Sequence, residues 1–184
     1  MPNVSPIHGD GATRRQFLSA AALGLASLVL PRSSSALTGR RLSFENLHTG
    51  ERLSVLYRNA SGYDPVALLE IDHLLRDHRT GTTHPIDAKL LDLLHEVQHA
   101  LHRPGRFLVV SGYRSPRTNR ALREEGRNVA LHSLHMLGKA VDVRLDGITT
   151  RSLRQAAIGL RRGGVGYYPS SDFVHLDVGS VRTW

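Results

Sequence analysis

The chain has 184 residues, a net charge of +8 and no cysteine, and 40% of its residues are hydrophobic. This length fits one catalytic domain with a single core. The lack of cysteine excludes a disulfide-stapled scaffold and a lipoprotein anchor. An aromatic content of 5% argues against a base-stacking surface for single-stranded nucleic acid. The positive charge suits polyanionic surroundings, and anionic cell-wall polymers are eligible partners.

Residues 1–36 have the features of an export signal. Arg14 and Arg15 are followed by Phe-Leu, by the apolar run 20–30 and by small residues suited to cleavage. The paired arginines resemble a twin-arginine signal. The apolar run is shorter than the roughly 20 residues that span a bilayer, and an uncleaved N-terminal anchor is the alternative. We expect a mature domain of residues 37–184 in the periplasm, with no membrane span and no nucleic-acid partner.

Loss of the signal removes three arginines and one aspartate, which lowers the net charge from +8 to +6. The basic residues of the mature chain are scattered along it. An ordinary solvated surface is therefore favoured over a dedicated basic patch.

The mature chain mixes a hairpin with unevenly placed helices. Strands at 41–44 and 53–57 flank a turn at 48–51 and should pair. Helical apolar spacing then covers 65–76 and 86–101. The remaining predicted elements are a strand at 106–111, a helix at 116–125, a strand at 140–145, a helix at 150–161, and strands at 164–168 and 173–178. This order favours an α+β fold over an alternating parallel sheet.

Two of the predicted strands carry polar side chains on one face. Apolar residues alternate with Asp142 in 140–145, and with His175 and Asp177 in 173–178. Because strand side chains alternate between the faces of a sheet, these polar residues should point away from the core. If the two strands are neighbours in the sheet, Asp142 and His175 lie close together.

His135 precedes Asp142 by seven residues and supplies a second imidazole. Zinc hydrolases commonly hold the metal with three nitrogen or oxygen ligands, leave a fourth position to water and place an acid nearby. Asp172, three residues before His175, supplies such an acid. The pattern therefore predicts a catalytic zinc site.

A competing metal motif, His95-Glu-Val-Gln-His99, has the two-histidine, one-glutamate pattern of zinc metalloproteases. The apolar residues of 86–101 gather in one stripe, and the two histidines fall on roughly the opposite side of that helix. A third ligand could come from Glu124 or Glu125, but the cleft would then form on the outer face of an ordinary amphipathic helix. We therefore expect the motif to face solvent without forming the catalytic site.

Several separated segments carry a family resemblance. The pattern S-x-H-x-x-G-x-A-x-D at 133–142 and D-x-x-H at 172–175 resembles the M15 zinc peptidases, which include D-alanyl-D-alanine carboxypeptidases and dipeptidases. Further segments resemble the branch that includes murein endopeptidase K. They are N-L-H-T-G-E at 46–51, S-G-Y-R-S at 111–115, G-G-V-G-Y-Y-P at 163–169, F-V-H at 173–175 and V-R-T-W at 181–184. Their order along the whole chain makes a chance match improbable.

The resemblance implies the M15 fold of D-Ala-D-Ala peptidases and hedgehog-like domains, a small antiparallel sheet with flanking helices. It assigns Zn²⁺ to His135, Asp142 and His175. It makes Asp172 the general base and gives Arg114 the role of stabilising the transition state. Many family members have glutamate in place of Asp172, so the shorter side chain would need a backbone closer to the metal.

Further positions have smaller predicted roles. Tyr113 and Ser133 are candidate substrate-binding residues, although a serine before a zinc ligand also serves to shape a loop. Asp177 could orient a ligand imidazole. Gly138 should permit a tight turn, and the glycines of 163–166 fit a turn or a close backbone approach.

The implied function is that of a periplasmic zinc-dependent murein endopeptidase. It would hydrolyse peptide cross-links of peptidoglycan, diaminopimelate–diaminopimelate links among them, with a zinc-activated water. A D,D-carboxypeptidase or dipeptidase acting on stem peptides is one alternative. The other is a non-catalytic cell-wall-binding protein that contains zinc. Asp172 and Arg114 argue against the latter, because a structural zinc site needs neither a base nor an oxyanion partner.

Overall fold

A computed structural model describes residues 39–127 and 129–184 of the chain. The strands are β1 (Arg40–Asn46), β2 (Arg52–Asn59), β3 (Gly62–Tyr63), β4 (Arg106–Ser111), β5 (Ala140–Leu145), β6 (Gly164–Tyr168), β7 (Phe173–Asp177) and β8 (Arg182–Thr183). The helices are α1 (Pro65–Leu74), α2 (Ala88–Ala100), α3 (Pro116–Glu124) and α4 (Thr150–Leu160). Two short 3₁₀ turns occur at Leu134–Leu137 and Pro169–Ser171. The predicted signal at 1–36 lies outside the described residues.

All eight strands form one sheet in the order β3-β2-β1-β4-β5-β7-β6-β8. Neighbours pair antiparallel, except that β1 runs parallel to β4 and β6 parallel to β8. The α+β class is confirmed, and each predicted strand and helix is present with ends that agree to within two residues. The sheet is larger than expected because β3 and β8 are too short to show an alternating pattern in the sequence.

Helices α1, α2 and α4 pack on one face of the sheet and enclose the core. The apolar positions of β5 and β7 point into this core, as predicted. Asp142 and His175 therefore lie on the opposite face. No helix of the described ranges is long and apolar enough to cross a membrane.

Two backbone features shape the polar face. The pairing of β4 with β5 is irregular between Val109 and Ser111, and such bulges re-aim side chains beside active sites. Gly138 ends the Leu134–Leu137 turn with φ +63°, and a Cβ there would collide with the carbonyl oxygen of Pro85. The tight turn predicted at Gly138 is thus observed.

Candidate metal centre and active site

The three predicted metal ligands converge from three elements. His135 lies in the Leu134–Leu137 turn, Asp142 in β5 and His175 in β7. Asp142 and His175 are direct partners in the antiparallel pairing of these strands, so their side chains meet on one face. Both His135 and Asp142 are buried.

The candidate ligand atoms lie close together. Nδ1 of His175 is 2.8 Å from Oδ1 of Asp142, and Nε2 of His135 is 3.3 Å from that oxygen and 3.2 Å from Nδ1 of His175. Nitrogen and oxygen ligands at about 2.0–2.2 Å from a tetrahedral zinc lie roughly 3.3–3.6 Å apart, close to the two distances made by His135. The pair of His175 and Asp142 is closer than this and would have to separate slightly around a metal. Within the described ranges no other group of three or more His, Cys, Asp or Glu side chains is arranged to hold a metal. The geometry and donor types suit a divalent metal.

Hydrogen bonds at the far side of each imidazole leave one nitrogen free to bind a metal. Nδ1 of His135 lies 2.7 Å from the carbonyl oxygen of Gly112, which can only accept, so its Nε2 is the nitrogen available to a metal. Nε2 of His175 lies 3.0 Å from Oδ2 of Asp177, so its Nδ1 is the nitrogen available to a metal. Such partners fix the orientation of metal-binding histidines. The contact predicted for Asp177 is present.

Asp177 is itself fully buried and firmly held. Its carboxylate accepts hydrogen bonds from the backbone N–H groups of Gly164 and Gly179 and from Nη2 of Arg182 at 2.6 Å. Burial alone would raise the pKa of Asp177, but the hydrogen bonds from His175, Gly179 and Arg182 outweigh it and hold the pKa at about 2. Asp177 therefore presents a fixed negative charge to His175.

The ligand set binds a proton tightly when no metal is bound. Burial alone would lower the pKa of His175, but hydrogen bonds to Asp142 and Asp177 outweigh it and raise the pKa to about 9. Burial alone would raise the pKa of Asp142, but the imidazoles of His135 and His175 outweigh it and hold that pKa well below its ordinary range. A metal ion would take the place of this proton.

A cavity of about 510 Å³ opens above the ligand set. The residues that line it are Arg114, Val129, Ala130, His132, Ser133, Leu134, His135, Asp142, Tyr168, Phe173, His175, Arg182 and Trp184. A substrate peptide could enter here and reach the ligand atoms. Arg114 and Ser133 are the cavity residues among those predicted to contact substrate.

Arg114 places a buried guanidinium at the cavity wall. Nη2 lies 3.6 Å from Oδ2 of Asp142 and 3.4 Å from Oγ of Ser111, whereas Nε is buried without a partner in the described part of the chain. Burial lowers the pKa of Arg114, and the charge of Asp142 opposes this shift only in part. Its donor capacity is incompletely used, as a group that binds a developing oxyanion requires.

The two predicted substrate-binding residues differ in position. Ser133 lines the cavity, and its hydroxyl accepts a hydrogen bond from the backbone N–H of His135 at 3.4 Å, which shapes the turn. The ring of Tyr113 is stacked on His84, 4.7 Å between centroids, and is not part of the cavity wall. Substrate contact by Ser133 and Tyr113 stays a prediction.

Asp172 lies at the end of the Pro169–Ser171 turn with φ +49°. Its carboxylate accepts a hydrogen bond from the hydroxyl of Thr150 at 3.0 Å and lies 3.4 Å from Nε of Arg144. The side chain is 62% exposed and does not line the cavity. A base role would require the carboxylate to leave Arg144 and turn towards the ligand set.

The competing motif does not assemble. His99 is exposed and His95 is half-buried on α2, and Glu96 forms an ion pair with Arg162 through both carboxylate oxygens, at 2.8 and 3.0 Å. Glu96 is thus engaged by Arg162, and the solvent-facing role of this motif stays a prediction.

Sequence reasoning missed the aromatic side of the cavity. Trp184, Tyr168 and Phe173 are brought together by the pairing of β6 with β7 and by the return of the chain along β6. The segments that contain them figured only as parts of the resemblance. The signal that could have found them is the Gly-x-Gly spacing in β6, which leaves room for large side chains above the strand.

Comparison with known proteins agrees with the site. The family model for peptidoglycan L,D-endopeptidase MepK, of the M15 peptidase class, matches residues 34–184. A probable peptidoglycan L,D-endopeptidase MepK of Haemophilus influenzae is 41% identical over 176 residues, which cover 93% of this chain and 95% of that protein. The peptidoglycan L,D-endopeptidase MepK of Escherichia coli K12 is 38% identical over 177 residues, 94% of this chain and 97% of its own length.

No solved structure gives a significant match. The family model covers the β5 and β7 segments that supply Asp142 and His175. The model and these relatives confirm the M15 resemblance. This chain belongs to the peptidoglycan L,D-endopeptidase MepK family of M15 peptidases.

Proposed function

We propose that this protein is a zinc-dependent endopeptidase that hydrolyses peptide cross-links of peptidoglycan. The observation that carries the proposal is the convergence of His135, Asp142 and His175 at the base of an open cavity. Relatives of matching length are peptidoglycan L,D-endopeptidases by name.

Zn²⁺ fits the donor set of two imidazole nitrogens and one carboxylate oxygen. When bound, it would supply Lewis-acid polarisation of a peptide carbonyl and would lower the pKa of a water towards about 7. Nε2 of His135, a carboxylate oxygen of Asp142 and Nδ1 of His175 would hold it. Asp177 keeps His175 oriented for this purpose.

Two charged residues would assist the chemistry. Arg114 would stabilise the negative charge that develops on the carbonyl oxygen of the cleaved peptide bond. Asp172 would accept the proton of the attacking water and return it to the leaving amine, after it exchanges its contacts with Thr150 and Arg144 for the cavity.

We further propose that the mature domain acts in the periplasm after export through the paired arginines Arg14 and Arg15. The apolar run and the small residues that follow the paired arginines support this.

The function is tested by incubating the zinc-loaded protein with purified murein sacculi and identifying released fragments by mass spectrometry. We expect loss of cross-linked muropeptides and a gain of their unlinked halves, and no such change with His175→Ala. Release of terminal D-alanine with intact cross-links would instead identify a carboxypeptidase. Intact cross-links across metal and pH conditions would contradict the proposal.

The base role is tested by Asp172→Asn, which keeps the size of the side chain and removes its ability to take a proton. General-base catalysis contributes about 10²–10⁴-fold, so kcat should fall by that range while zinc content stays the same. An unchanged kcat in Asp172→Asn would contradict the base role and show that Asp172 only shapes the loop.

A further inference from the structure

The segment after β7 returns along β6 as the edge strand β8, and its side chains lie over the polar face of the sheet. β8 pairs parallel with β6, with Arg182 opposite Gly164, and the backbone N–H of Trp184 donates to the carbonyl of Val165. A Cβ on Gly166 would lie 2.7 Å from the indole of Trp184, and one on Gly164 would lie 2.7 Å from the guanidinium of Arg182. The two glycines thus provide the space in which these large side chains lie.

The indole of Trp184 is held in one orientation. Its Nε1–H donates to the hydroxyl of Tyr168 at 2.9 Å, and the Tyr168 ring is stacked on Phe173 with 4.6 Å between centroids. The guanidinium of Arg182 lies 4.9 Å from the centre of the indole, within cation–π range. Arg182 is fixed in turn by Asp177.

This fixed indole remains 48% exposed and lines the cavity. Its centre is 5.2 Å from that of the His175 ring. A large apolar surface left exposed in a fixed position beside a reacting centre is typical of a binding contact. Bound substrate would cover it.

We propose that Trp184 is a substrate-binding residue, whose indole packs on the aliphatic side chain of the stem-peptide residue next to the cleaved bond. This inference rests on the proposed function. A chain advances at most about 3.3–3.6 Å per residue, so only groups within one or two residues of the cleaved bond can touch an indole adjacent to a metal ligand. The cross-linking residues have alkyl side chains there, whereas the glycan sugars attach farther along the stem.

Trp184 is the one tryptophan in the sequence, so intrinsic fluorescence reports on this contact directly. The zinc-loaded protein is titrated with the stem tripeptide L-Ala-γ-D-Glu-diaminopimelate, which has no cross-link to cleave. We expect a saturable blue shift of the emission, because the tripeptide removes water from the indole. A titration with the N-acetylglucosaminyl-N-acetylmuramic acid disaccharide should leave the spectrum unchanged.

An unchanged spectrum while calorimetry shows the tripeptide to bind would overturn the proposal. An equal shift with the disaccharide would also overturn it, since the indole would then bind the glycan sugars. These titrations need no turnover. They therefore separate failure of this inference from failure of the proposed hydrolysis, which the sacculus digest reports.

Kinetics provide the second test. With a soluble cross-linked muropeptide, Trp184→Ala should raise KM by roughly tenfold or more and leave kcat within about threefold. Trp184→Phe, which keeps an aromatic face, should recover most of the loss. Val181→Ala is the matched control, since Val181 is exposed in the same segment and does not line the cavity.

Zinc content is measured for each variant. One zinc per chain in Trp184→Ala with the raised KM supports substrate contact. Wild-type KM in Trp184→Ala would contradict it. Loss of zinc from Trp184→Ala with retention in Trp184→Phe would also contradict it, since the indole would then act by packing on His175.

Discussion

Arg114 lines the cavity, and we expect its positive charge to stabilise negative charge that develops on the substrate. Because Nε is buried without a partner and Nη2 only approaches Asp142 and Ser111, the guanidinium can turn its remaining donors to a substrate oxygen. Arg114→Ala should lower kcat by about 10²–10³-fold, the usual effect of losing one oxyanion donor, with zinc content unchanged. Steady-state kinetics measure this, and a rise in KM at constant kcat would instead indicate a substrate-carboxylate contact.

We expect Asp177 to act on a bound metal through His175. Asp177→Asn removes the charge that faces Nε2 of His175 while it keeps the shape of the side chain. Loss of such a partner typically costs 10–100-fold in metal affinity, and we expect a fall of about that size in a chelator-competition assay. Asp172→Asn is the matched control and should bind zinc as the wild type does. Equal affinities for all three proteins would contradict this role.

The pH dependence of zinc binding follows from His175. Its pKa is about 9 in the metal-free protein, where burial lowers it and hydrogen bonds to Asp142 and Asp177 raise it more strongly. Below that pH, zinc must displace a proton from Nδ1, so zinc affinity should rise about tenfold per pH unit between roughly pH 6.5 and 8.5. Affinity that does not change over this range would show that His175 is already neutral or is not a ligand.

The elements of the fold differ in how well the sequence predicts them. Alternation in β5 and β7 is sufficient to place Asp142 and His175 on one face, and the apolar stripe of α2 predicts that His95 and His99 lie away from the core. Strands β3 and β8 have two residues each, so no periodicity marks them. The order of strands also depends on pairings between distant segments, such as the parallel β1–β4 pair, that local patterns do not contain.

The residues of the candidate site also differ in how well the sequence predicts their positions. The three candidate ligands are predicted from residue type, strand alternation and the family resemblance. The direction of the Asp172 side chain, in contrast, depends on Thr150 and Arg144, which are distant in sequence. The place of Trp184 beside His175 likewise depends on the return of β8 along β6. Contacts of this kind arise only when the whole sheet is assembled.

The turn before β5 allows a test of how much the close approach at Gly138 contributes to folding stability. Gly138→Ala would strain a left-handed backbone and drive a Cβ into the carbonyl of Pro85, with an expected loss of about 3 kcal/mol or more in the free energy of unfolding. Gly50→Ala is the control, since Gly50 has φ +74° with nothing near its Cβ position, and should cost about 1 kcal/mol. Thermal unfolding by circular dichroism compares them, and equal midpoints would show that the close approach at Pro85 is unimportant.

At the scale of the whole molecule, export should depend on the paired arginines. A twin-arginine signal is read through both guanidinium groups. Replacing Arg14 and Arg15 together with lysine keeps the charge, and we expect the protein to stay unprocessed in the cytoplasmic fraction. Replacing Arg32 with lysine is the control. Normal periplasmic recovery of the double variant would point to another export route.

In the active protein, we expect one zinc ion to be held by His135, Asp142 and His175 at the base of the cavity. Anomalous diffraction at the zinc absorption edge, from crystals grown with zinc, would locate the metal. We expect one strong peak within ligand distance of Nε2 of His135, a carboxylate oxygen of Asp142 and Nδ1 of His175. A peak at His95 and His99 instead, or no peak among the three predicted ligands in zinc-saturated crystals, would contradict it.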